Sequence, residues 1–465
     1  MDSRVFASLL VLAVACGDDS GADPTGMTPD GGVPDSGTMT GTTLRTGAPL
    51  QVSPVYQSTE SPDGFGFAMM RDWIPMDLDF SPSGQLWVIQ RPEQVVGADG
   101  VDPYPDSVEC PARAYSDGTF TDHDCGSLFG STVAITSPTD PEMASTGNGR
   151  TRFVNDRNSL HFMRRPSALA FGAESVTVQP DSPGADDGRG GSLLRAPETY
   201  TETFGTCIEH LTANPTDSPP FIGPSLWTTD PSIYNGTSGI GGNGAHLDMV
   251  HATQYCMGMA YEGGNVYWLY NGQDGTLDRY DFADPHVPGH FYHGDASVDR
   301  YFWSDDSLGR LPDVPSNMEM DDTTGLYIAD SGNGRVVRFD TGADMPMFGT
   351  AATFEGPALM ATTFEGVDLE VIASAEALSA LWGGGGAEPS GLSLLDDDAL
   401  VVADHATGFI SILDRTTGEE IRTIDTELGA GIGGLTVEDG VIYFVHMTNR
   451  MTYRIDVLEP ETPAP

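Results

Sequence analysis

A short alternating pattern recurs six times along this 465-residue chain: a small or polar residue, an apolar one, a polar or small spacer, and another apolar one. The copies are Asp77-Leu78-Asp79-Phe80, Ala168-Leu169-Ala170-Phe171, Gly258-Met259-Ala260-Tyr261, Asn317-Met318-Glu319-Met320, Gly391-Leu392-Ser393-Leu394 and Gly434-Leu435-Thr436-Val437. Alternation of this kind buries one face of a strand, and its recurrence means that one supersecondary unit is used repeatedly. Six units closing on themselves predict an all-β, six-bladed β-propeller with four-stranded antiparallel blades.

Residues 391–425 supply the template. Gly391 opens an inner strand, Asp396-Asp397-Asp398 turn, and Ala399 to Asp404 return; Phe409 to Asp414 and Glu420 to Asp425 complete the blade. The sixth unit has only three strands before the tail. A segment between Leu50 and Trp73 is therefore expected to supply its outer strand and close the ring, removing exposed strand edges. The run from Tyr327 to Asp340, YIADSGNGRVVRFD, resembles the second and third strands of the NHL-repeat family of propellers. That resemblance covers about residues 75–457 and implies a fold much more than an activity.

Spacing between units is uneven: Asp77 to Ala168 is about twice as far as Gly391 to Gly434. The excess reads as insertions near 100–160 and 180–250, within a propeller spanning 49–458. Residues 17–48 hold almost no large apolar side chains and read as a disordered tether, and 459–465 as a disordered tail.

Charge restricts the partners. The formal net charge is −47, and all 21 basic residues are arginine. Such a surface repels phosphate backbones, which excludes nucleic acid as a partner class. The apolar run Val5 to Ala15 is too short to span a bilayer but suits a secretory signal. Leu12-Ala13-Val14-Ala15-Cys16 resembles a bacterial lipobox, which makes residues 1–16 a lipoprotein-type signal segment and implies cleavage before Cys16 and lipidation of that cysteine. Acyl chains at about 0.8 kcal/mol per buried methylene would hold a soluble domain on a membrane. An exported protein of the bacterial cell envelope, anchored at the outer membrane and monomeric, is the expectation. The even set Cys110, Cys125, Cys207 and Cys256 favours disulfides, with proximity suggesting Cys110–Cys125 and Cys207–Cys256.

Blade topology sorts the loops. Inner-strand entries and second-strand exits share one mouth of the axial channel. Entries bring His161, Arg164, Arg165, His251, Cys256, Asn317 and Glu388; exits bring Gln90, Arg91, Tyr270, Asn271, Asp330, Asp404, His405 and His446. Converging histidines, carboxylates and arginines predict a ligand site there, although Asp330, Asp404 and His446 also suit turn-capping positions. His286-x3-His290-x2-His293, followed by Asp295, is a metal candidate on a Pro/Gly-rich loop; His246-x4-His251 before Cys256 is another.

Two propeller enzyme groups can be compared residue by residue. Peptidylglycine amidating lyases carry metal-binding histidines at inner-strand starts, where this chain has Met76, Ser167, Met257, Asn317, Gly391 and Gly434. Gluconolactonase-like propellers place carboxylates and an Asn around a divalent ion, which Asn317, Glu319, Asp330 and Asp404 loosely imitate. The reading is an envelope-anchored binding module with a protein or small-molecule ligand at the mouth. The alternatives are a divalent-metal-dependent hydrolase or lyase acting there, and a copper or zinc binding protein; calcium, zinc or copper is the cofactor class these admit.

Overall fold

The computed structural model describes Leu44 and residues 50–57, 73–92, 132–136, 152–154, 163, 165–172, 175–211, 222–234, 244–303, 307–354 and 359–458, with 132–136 and 152–154 described by their backbone. Cys16, Cys110, Cys125, His161 and Arg164 lie outside these residues, as do the lipobox, most of the tether and the tail.

Six blades of four antiparallel strands follow one another along the chain, the third widened to a six-stranded sheet by an added hairpin. Their inner strands are Trp73–Phe80, Pro166–Phe171, Cys256–Gly263, Met318–Met320, Pro389–Leu394 and Ile432–Glu438, each carrying one copy of the repeat, with Asn317 of the fourth copy just before its strand. Each inner strand contacts the next, and the sixth returns to the first, so the blades form a closed ring. The N-terminal strand Val52–Gln57 pairs antiparallel with Met451–Asp456 and supplies the outer strand of blade six. Phe80 of blade one meets Tyr443 of blade six edge-on, with ring centroids 5.0 Å apart.

The repeat has a steric reason. Around a narrow axis the inner strands crowd, so its first position must be small or must bond its neighbour. A Cβ on Gly258 would strike the Ser316 carbonyl, and one on Gly434 the Asp77 carboxylate. The apolar second position (Leu78, Leu169, Met259, Met318, Leu392 and Leu435) is buried in every blade. These side chains feed apolar clusters lying between adjacent blades. Met76, Trp87, Leu169 and Phe204 join blades one and two, and Trp268, Tyr301, Met318 and Phe339 join three and four. The core is thus a set of wedges between sheets, each filled by side chains from both neighbours.

Blade five matches the sequence template strand for strand. The stretches read as insertions are shared out between strands. Thr132–Thr136 and Arg152–Val154 complete blade one, while Thr203–Ile208, Ser225–Thr228 and Asp248–Met249 complete blade two. Blade four adds a hairpin that the repeat did not predict. Its strands Met347–Ala352 and Met360–Val367 cross to blade three, where Met360–Val367 pairs in parallel with Ser297–Trp303. Cys207 and Cys256 form the expected disulfide, tying the second strand of blade two to the inner strand of blade three. No helix among the described residues is long and apolar enough to cross a membrane.

Candidate functional site

The mouth gathers charges from three successive parts of the ring. Arg91 ends the second strand of blade one, and Glu209 follows the second strand of blade two. Arg310 and Asp313 lie on the segment entering blade four, and Arg165 precedes the inner strand of blade two. Arg91 donates from Nη1 to Glu209 Oε2 at 3.0 Å and from Nη2 to Asp313 Oδ1 at 2.7 Å. Arg165 Nη2 donates to the same Asp313 oxygen at 2.7 Å. The Asp313 N–H donates to Glu209 Oε1 at 2.9 Å, and Arg310 Nε lies 3.9 Å from that oxygen. Arg310 also stacks on the Tyr255 ring at 4.0 Å, a cation–π contact. Asp313 holds φ +67°, a left-handed conformation that its backbone bond to Glu209 helps retain.

Arg91 and Glu209 are buried, whereas the Asp313 side chain is 58% exposed. Three guanidinium groups thus gather around two carboxylates in a chain of net −47. Arg91 and Arg165 were legible as mouth residues; Glu209, Arg310 and Asp313 were not. A long insertion separates the first two strands of blade two, which hid the exit position that Glu209 occupies.

Four of the other expected mouth residues, Asp330, Asp404, His405 and His446, are committed to local bonds. Asp330 Oδ1 accepts the Gly309 N–H, and its Oδ2 accepts from Asn333 Nδ2 and Arg335 Nε. Asp404 accepts the Glu388 and Thr407 N–H groups. His446 Nε2–H donates to the Gly429 carbonyl, and its Nδ1 accepts the Asn449 N–H. Burial lowers the His446 pKa, so this ring is held neutral. His405 donates from Nδ1 to the Ile432 carbonyl at 2.8 Å and is partly exposed.

Deeper in the channel, blades one and four face each other across the ring. Asn317 Nδ2 donates across it to Asp77 Oδ1 at 2.9 Å. Asp77 and Asp79 also accept the Leu169 and Phe171 N–H groups, sewing the inner strand of blade one to that of blade two. Burial raises three channel carboxyls: Asp77 to about 6, Asp79 to about 7 and Glu319 to about 8. For Asp79 and Glu319, repulsion from the neighbouring carboxylates adds to the rise.

A separate centre lies at the outer edges of blades two and three. Residues 282–296 connect the third and fourth strands of blade three, which places that loop at the end opposite the mouth. Here His246, from just before Asp248–Met249, meets His286 and His293, and one ring nitrogen of each lies within 4.8 Å of the others. It is the one group of three His, Cys, Asp or Glu donors this close among the described residues. His251 is not at the mouth. The outer strand of blade two is so short that His251 stays beside His293, with ring centroids 6.1 Å apart. His290 is turned to other work: its Nε2–H donates to the Asp186 carbonyl and its Nδ1 accepts the Tyr292 N–H.

No family model matches the chain, and no curated protein matches it. Among solved structures it is similar to the selenomethionine-substituted virginiamycin B lyase from Staphylococcus aureus, at 10% identity with a TM-score of 0.35, over 88% of this chain and 99% of that one. A catalytically inactive form of the same lyase with Quinupristin gives 10% identity and a TM-score of 0.34 over the same shares. Likeness this distant assigns neither a site nor an activity to this chain.

Proposed function

We propose that the protein is a binding module that takes a small anionic ligand at the mouth of its propeller. The observation that carries this reading is the Arg91–Arg165–Arg310 group, three guanidinium groups gathered at one mouth of a polyanionic chain. Charges separated by more than about 8 Å are largely screened at physiological ionic strength. A compact oxyanion at the mouth would therefore feel the arginines more than the distant acidic surface, whereas a long polyanion would feel the whole. Planar guanidinium forks suit carboxylate and similar oxyanions. Arg165 and Arg310 keep partial exposure for such contacts, while buried Arg91 sets the frame.

Calorimetric titration with a panel of carboxylate-, sulfate- and phosphate-bearing small molecules tests this. Saturable binding that weakens with salt and is lost in Arg165→Ala and Arg310→Ala is expected. Saturable binding untouched by both substitutions would refute the mouth as the site.

A second reading, a hydrolase or lyase, is favoured by Asp79 and Glu319, whose carboxyls hold protons near neutral pH as general acids do. Turnover lost in both Asp79→Asn and Glu319→Gln would select it. We also propose export and lipid anchoring through Cys16, so that Cys16→Ser moves the protein from the membrane fraction to the soluble fraction.

A further inference from the structure

We infer that His246, His286 and His293 bind one divalent transition-metal ion of the imidazole-preferring class, for which zinc is the natural probe. This site is independent of the mouth and lies at the other end of the propeller.

Backbone bonds place the donors. The His286 N–H donates to the Leu247 carbonyl at 2.8 Å, and the Gly289 N–H donates to the His246 carbonyl at 2.9 Å. The Val287 N–H reaches the Gly184 carbonyl at 3.0 Å, and a Cβ on Gly184 would collide with the His286 backbone. The segment before the outer strand of blade two and the loop of blade three are therefore held in register, with His246 and His286 facing edge-on at a 5.0 Å centroid separation.

His286 is the most informative of the three. Its Nδ1 lies 2.7 Å from the Val287 carbonyl. A carbonyl only accepts, so Nδ1 carries the proton and Nε2 carries the lone pair. That Nε2 is buried and has no hydrogen-bond partner among the described residues. A buried acceptor left without a partner costs about 1–3 kcal/mol, and such groups call for an explanation such as an ion. Donating the far ring N–H to a backbone carbonyl is the usual way a metal-binding imidazole is oriented. A ring with Nδ1–H on a carbonyl and the lone pair on Nε2 is the neutral form that ligates.

Spacing fits with small movement. Nitrogens bound tetrahedrally to zinc at about 2.0–2.1 Å lie roughly 3.4 Å apart, against the 4.8 Å limit that encloses the three atoms here. His293 stands beside Gly294 and four residues after Gly289, which holds φ +74°, and it is partly exposed. That is the donor that can close on an ion and the side from which an ion can enter. Asp295 interacts electrostatically with His293, and its Oδ1 is buried without a hydrogen-bond partner among the described residues. A carboxylate beside a ligating imidazole raises its basicity and offsets the charge of the ion. Three histidines leave a fourth tetrahedral position open, as zinc sites that exchange water or ligand do. The ion would also staple the outer edges of blades two and three, whose inner parts Cys207–Cys256 already joins.

The test uses the full chain, stripped with a chelator and titrated with zinc, then with cobalt as a spectroscopic stand-in. One equivalent of zinc, a cobalt visible spectrum of low-symmetry nitrogen coordination and a zinc-dependent rise in Tm are expected. His246→Ala and His286→Ala should each weaken zinc at least about 100-fold, since losing an outer-shell partner alone costs 10–100-fold. His290→Ala and the mouth variants Arg165→Ala and Arg310→Ala should leave zinc affinity unchanged. If a buried-site variant fails to fold, His293→Ala on the partly exposed ring gives the same reading. No stoichiometric uptake by the parent protein would overturn the inference, as would uptake unaltered in all folded variants of the three histidines.

Discussion

At the mouth, Arg91 and Glu209 are both buried and bond each other at 3.0 Å; at the opposite end, His286 Nε2 is equally buried and accepts no hydrogen bond from the described residues. Both regions join consecutive blades with polar side chains, yet their chemistry differs. The mouth pairs its charges with one another and leaves the Arg165 and Arg310 guanidinium groups partly exposed. The histidine centre holds a buried lone pair, on His286 Nε2, that no described residue uses. Pairing at the mouth means rigidity, whereas the unmatched Nε2 of His286 means capacity.

Arg91→Ala breaks this contrast most sharply. It strips a buried partner from Glu209, and removing one member of a buried pair costs about 3–5 kcal/mol. The urea midpoint should fall accordingly with an unchanged m-value; a midpoint near that of the parent protein would show that the mouth charges are not coupled as described.

An intermediate effect comes from the channel carboxyls. Folding raises the pKa of Asp79 to about 7 and of Glu319 to about 8, so the folded state binds these protons more tightly than the unfolded chain does. Their contribution is whole below the unfolded carboxyl value and is lost as pH climbs towards 8. Each pKa unit is worth about 1.4 kcal/mol, and Glu319 is partly accessible in the channel. Glu319→Gln should therefore recover about 2 kcal/mol of the loss between pH 5 and pH 8, measured by denaturant titration at both pH values. An identical pH slope in parent and variant would contradict the channel assignment.

The smallest effect is expected at the histidine centre. In metal-free protein His286→Leu exchanges an unmatched buried nitrogen for apolar volume, at a net cost below about 1 kcal/mol. The same substitution should abolish the zinc-dependent rise in Tm. A large loss of stability without metal would make His286 a structural residue and erase the difference between the two ends.

What the sequence disclosed follows the same division. Strand alternation is local, so the six inner strands, the template blade at 391–425 and the need for an N-terminal closing strand were all readable from the repeat. Arg91, Arg165 and Asn317 were readable as members of the axial set, because topology alone sends strand entries and exits to one end. Glu209 was hidden, since residues 172–202 stand between the inner strand of blade two and its partner. Asp77 and Asp79 sat in plain view as repeat positions, but only the approach of blade two shows that they accept its N–H groups. The histidines were grouped by spacing, His246 with His251 and His286 with His290 and His293. Contact between the edges of two blades regroups them, because outer-strand length and loop path are tertiary facts that spacing does not carry.

Anomalous diffraction at the zinc edge from crystals of the zinc-loaded chain tests the contrast between the two ends most directly. A single strong peak within bonding distance of ring nitrogens of His246, His286 and His293, with none at the Arg91–Glu209 mouth, is the predicted result. Metal bound at the mouth or along the channel, with the three imidazoles left empty, would contradict it.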